Sequence, residues 1–66
     1  MENLKWIKEL ELIARDEILG YEIYKDSETD TDYEIDFDRV NGEEVVTAIY
    51  ELDDDDTVGN ILFLKK

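Results

Sequence analysis

The chain has 66 residues, a formal net charge of −13 from 20 acids and 7 bases, and no Cys, His or Pro. So short a chain holds one domain, residues 1–66, and must hold it together by packing, because neither a disulfide framework nor a thiolate metal site is available. The same counts remove the usual general base, thiol nucleophile and transition-metal ligands, so an enzyme is not expected and no cofactor is implied.

From Leu4 to Ile18 the apolar residues Leu4, Trp6, Ile7, Leu10, Ile13, Ala14 and Ile18 share one side of a 3.6-residue wheel, with Lys5, Lys8, Arg15 and Asp16 opposite. This spacing predicts an amphipathic helix with Asn3 as N-cap and Gly20 as its end, although Leu10-Glu11-Leu12 also alternates as a strand would. Beyond Gly20 the period becomes two. Tyr21 and Ile23, then Tyr33, Ile35 and Phe37, then Val46, Ala48, Tyr50 and Leu52, then Ile61 and Phe63 predict four strands. Asn41-Gly42 predicts a two-residue type I′ turn, whose two central positions need positive φ. With Val40 opposite Glu43, that turn sets Phe37 against Val46, Ile35 against Ala48, Tyr33 against Tyr50 and Thr31 against Leu52. The expected fold is therefore α+β, an N-terminal amphipathic helix packed on an antiparallel meander of about four strands.

Charge is distributed unevenly along this scaffold. Residues 1–25 carry six acids and four bases, residues 26–56 fourteen acids and one base, and residues 57–66 two lysines, giving −2, −13 and +2. Every even position from Asp26 to Asp38 is acidic: Asp26, Glu28, Asp30, Asp32, Glu34, Asp36 and Asp38. On a strand, alternate residues share a face about 6.7 Å apart, so the later part of this run forms a row of carboxylates over an apolar underside. Glu43, Glu44 and Glu51 on the next strand and the turn Asp53-Asp54-Asp55-Asp56 extend the same sign. A solvated outer face would explain an alternating charged strand equally well. The absence of any interleaved base favours a binding surface for a basic partner, made of Asp30, Asp32, Glu34, Asp36, Asp38, Glu43, Glu44, Glu51 and Asp53 to Asp56.

No window has the alternating acids, Gly and distant Glu of a calcium loop, and Gly20, Gly42 and Gly59 are isolated, so neither a metal site nor a phosphate-cradling loop is expected. The tyrosines and Trp6 read as core, and so negative a chain is repelled by nucleic acid and by anionic membrane. The longest apolar runs fall far short of a membrane span and the Met1 end has no signal-peptide pattern, which gives a cytosolic expectation.

Small size, the acid run from Asp26 to Asp38 and the turn from Asp53 to Asp56 together resemble the DNA-mimic proteins of bacteriophages, a likeness of class covering about half the chain. The resemblance implies occlusion of a host protein's DNA-binding surface, without chemistry and often by a dimer. The target would be a nucleoid, restriction, repair or CRISPR component. The alternatives are an immunity-type inhibitor of a basic toxin or nuclease, and an acidic accessory domain that its charge keeps soluble.

Overall fold

A computed structural model describes residues 4–53, 55 and 57–65. No helix spans Leu4 to Ile18. The chain instead makes one 3-10 turn, Lys5–Glu9, and then a strand, β1 (Glu11–Asp16). An isolated helix of that length is marginal in water and would depend on burying its apolar stripe. That stripe stays largely outside: Leu12, Ile13 and Ile18 are exposed, while Ile7 is fully buried and Leu4 and Leu10 pack partly against the core. The Leu10-Glu11-Leu12 alternation prevails because β1 gains a ladder with β2 (Tyr21–Asp26), from Glu11 opposite Lys25 to Asp16 opposite Tyr21, bulged at Ile13. Asn3, expected as the N-cap, lies outside the described residues. Gly20 ends the β1–β2 connection rather than a helix. Its φ of +83° and the Phe37 carbonyl oxygen, 2.5 Å from where a Cβ would stand, leave room only for glycine.

Strands β3 (Thr31–Val40), β4 (Glu43–Leu52) and β5 (Val58–Leu64) complete a five-stranded antiparallel sheet in the order β1-β2-β3-β4-β5. The fold is essentially all-β, which corrects the expected helix on four strands. The Asn41-Gly42 turn forms as read from the sequence, with φ of +53° and +83°, and the pairs from Val40–Glu43 to Phe37–Val46 follow it.

Beyond Phe37 the expected register fails. Thr47 is an extra residue in β4, so Asp36 faces Ala48, Ile35 faces Ile49, Glu34 faces Tyr50 and Tyr33 faces Glu51 rather than Tyr50. The bulge has a packing cause. Val46 and Ile49 are three residues apart, and a regular strand would send them to opposite faces, whereas the bulge turns both toward the core. Lys65 contributes from beyond β5, its N–H donating to the Thr47 carbonyl at 2.8 Å.

The core lies on one face of the sheet, here the inner face. Ile7, Tyr24, Tyr33, Ile35 and Ile49 are buried together, with Val46, Leu62 and Phe63 partly buried around them. The 3-10 turn covers this face, and Trp6 stands edge-on to Tyr33 with ring centroids 5.2 Å apart. The opposite, outer face has no helix or further strand over it among the described residues.

Candidate functional site

The even positions of β3 define the outer face. The two hairpin registers surround them with their neighbours: Asp32 lies between Lys25 and Leu52, Glu34 between Ile23 and Tyr50, and Asp36 between Tyr21 and Ala48. Each carboxylate thus stands in the middle of the sheet, Glu34 and Asp36 between apolar or aromatic residues and Asp32 between Lys25 and Leu52. Ala48 and Leu52 are buried there, yet neither belongs to the core cluster of the inner face. The acids beside them are half-buried rather than freely solvated.

Confinement changes the protonation of Glu34. Alternate residues on one strand face lie about 6.7 Å apart along the backbone; two charges at that separation repel by about 0.6 kcal/mol even at the dielectric constant of water, and more where side chains lean together in a half-buried site. A hydrogen bond from its own carboxyl to Asp36, reinforced by burial and by the Asp36 charge, pushes Glu34 up to about 7. Near neutral pH Glu34 is therefore only partly ionised. Asp32 is relieved differently: Lys25 Nζ lies 3.8 Å from its Oδ1, an atom that is removed from solvent and has no hydrogen-bond partner among the described residues. The same ammonium pairs with Asp30 at 2.8 Å, which holds the Asp30 carboxyl below its ordinary value and raises the lysine.

The other acids expected in a binding surface divide between the faces. Asp38, exposed and opposite Val45, and Glu43, opposite Val40 beside the turn, extend the outer row. Asp30 sits at φ +56° in the β2–β3 turn, at the end of that row. Glu44 lies on the inner face, where Arg15 contacts it at 2.8 Å and Arg39 at 3.5 Å. Glu51 also turns inward, opposite Tyr33, and its Oε1 accepts from Asn60 Nδ2 at 2.6 Å. Both are corrections to a single acidic surface. For Glu51 the cause is the bulge at Thr47; for Glu44, strand alternation already sets it against Arg39, away from Asp38. Asp53 is occupied in its own turn, accepting from the Thr57 N–H and hydroxyl, which holds its carboxyl low. Asp55 is exposed, and Asp54 and Asp56 lie outside the described residues.

Two features were missed by sequence reasoning. Lys25 supplies a base to a row that contains none in sequence, and Tyr21, Ile23, Ala48, Tyr50 and Leu52 give the acid face apolar flanks. The signal for Lys25 was present in the β2–β3 hairpin, whose register brings Lys25 opposite Asp32. The inner face also holds a buried acid, Glu22, which accepts from Arg15 and from the Tyr24 hydroxyl (3.0 Å) and has Lys8 Nζ at 3.7 Å. Burial and the Glu22 carboxylate push the Tyr24 phenol up to about 12, and the Arg15 guanidinium stacks 4.8 Å over the Phe37 ring. This cluster ties β1, β2 and β4 together and is structural.

Among the described residues no group of three or more acids converges as metal ligands, and no helix is long and apolar enough to cross a membrane. Comparison with protein-family models, with curated proteins and with solved structures finds no match to this chain.

Proposed function

We propose that the protein is a non-enzymatic inhibitor that occupies the basic nucleic-acid-binding surface of another protein, in the place of DNA. The observation that carries this reading is the row Asp32, Glu34, Asp36 and Asp38 on the one sheet face left uncovered by the described chain. An uncovered face with acids at fixed spacing offers an ordered array to lysines and arginines, and a basic partner would draw the proton from Glu34. Charge density limits the mimicry: one carboxylate per about 6.7 Å is half the density of a DNA strand, with its phosphate every 3.4 Å or so.

The apolar flanks favour a second reading beside the first, an immunity-type inhibitor that recognises one basic nuclease or toxin. Tyr21, Ile23 and Tyr50 would contribute little against a surface built only for phosphates, but would add specificity against a partner with matching apolar contacts. Displacement of labelled duplex DNA from a panel of basic DNA-binding proteins and nucleases, at low and physiological salt, tests both. A DNA mimic displaces DNA from several proteins and weakens steeply with salt; an immunity protein acts on a single nuclease. Failure to displace DNA from any member at low salt would contradict both readings.

A further inference from the structure

The last strand differs from the others in having no charge. Residues Val58–Leu64 read Val-Gly-Asn-Ile-Leu-Phe-Leu, whereas β1, β2, β3 and β4 each contain acids. It is also an edge: β5 pairs with β4 and, among the described residues, has no strand on its other side. Natural sheets guard such edges with charged side chains, with bulges or with a covering element. The β1 edge has Glu11, Arg15 and Asp16, while β5 has only its two bulges, at Gly59 and Leu62. Val58, Ile61 and Leu64 are exposed along it, opposite Leu52, Tyr50 and Ala48, which places them on the outer face.

We infer that β5 is the self-association edge of this protein, pairing antiparallel with β5 of a second copy to make one continuous ten-stranded sheet. The occupant is identified by charge. The strand is preceded by the turn that holds Asp53 and Asp55 and followed by Lys65, so it is negative at one end and positive at the other. Antiparallel pairing about Ile61 sets Val58 against Leu64, brings Lys65 of each copy beside the aspartate turn of its partner, and leaves the chain's central charges away from the seam. Parallel pairing would set like charges together. A two-fold axis normal to the sheet keeps the outer faces of both copies on the same side, so the two β3 carboxylate rows would run antiparallel about 24 Å apart, five strand spacings. The bulges raise the local twist and confine the contact to this short strand, which makes the dimer a weak one. This inference stands whether or not the outer face binds a basic protein.

Sedimentation velocity across micromolar to millimolar concentrations, with hydrogen exchange on the concentrated sample, tests it on the whole chain. The expected result is a concentration-dependent dimer in which β5 amides become protected. Ile61→Glu, at a position already exposed, abolishes the dimer while the circular dichroism spectrum and thermal midpoint report an intact fold. Lys65→Glu weakens the dimer about tenfold, and adding Asp55→Lys restores it. A monomer at every concentration would overturn the proposal. So would a dimer that leaves β5 amides unprotected, as face-to-face packing of Ile61 would, or one that the charge exchange between Lys65 and Asp55 does not rescue.

Discussion

Glu34 shows how position alone changes a residue's chemistry. On the centre strand its hydrogen bond to Asp36, burial and the Asp36 charge raise it from 4.5 to about 7. A carboxyl raised on folding binds more protons in the folded chain. Its contribution to stability is therefore complete below about pH 4.5 and is lost as pH rises through about 7. Asp30 and Asp53, held low, act in the opposite sense, and only near and below their ordinary value of 3.8. Lowering the pH from about 8 to about 5.5 should thus stabilise the protein, by on the order of 1 kcal/mol once solvent screening is allowed for, and raise the thermal midpoint by several degrees. Glu34→Gln should remove most of that pH response and raise the midpoint at pH 8 or so. A wild-type midpoint that is flat or falls on acidification through this range would show that Glu34 is not raised on folding.

At the scale of elements, the hairpins decide the fold and two glycines make separable contributions. Gly20 and Gly42 both have φ of +83°, but a Cβ at Gly20 would meet the Phe37 carbonyl oxygen at 2.5 Å, whereas at Gly42 nothing lies within 4 Å. Gly42→Ala should lower stability by about 1 kcal/mol, the cost of left-handed backbone, while Gly20→Ala adds displacement of β3 backbone and should cost about 2 kcal/mol or more. Urea midpoints of the two variants check the order, and equal losses would argue that the β1–β2 connection does not hold Gly20 against β3. The strands from β2 to β5, and the Asn41-Gly42 turn, were legible in the sequence because their alternation and turn chemistry agree. The N-terminal element was not, because Leu4 to Ile18 satisfies a helical stripe and a strand alternation at once. Tertiary pairing chose between them by adding β1 to the sheet. The bulge at Thr47 was equally hidden: a bulge is the one device that defeats a period-two reading, and here it carries Glu51 to the inner face and brings Tyr50 and Leu52 beside the acids.

For the whole molecule, the division of labour between two faces matters more than the total charge of −13. The inner face holds the core and absorbs Glu22 and Glu44 into contacts with Arg15. The outer face keeps Asp32, Glu34, Asp36 and Asp38 in a row between apolar flanks. Location, not bulk charge, is the central claim, and two charge-matched variants test it most directly. One carries Glu34→Gln, Asp36→Asn and Asp38→Asn on the outer face; the other carries Glu9→Gln, Glu17→Gln and Glu28→Gln at exposed positions elsewhere. Each removes three carboxyls, and at about pH 8.5, where Glu34 is ionised, the same number of charges; the measurement at that pH is displacement of labelled duplex DNA from the basic protein on which the wild type acts best. An ordered binding face predicts that the first variant loses about tenfold or more in potency while the second stays within about twofold of wild type. Equal losses from both would mean that bulk negative charge suffices, and would contradict a binding role for the β3 row.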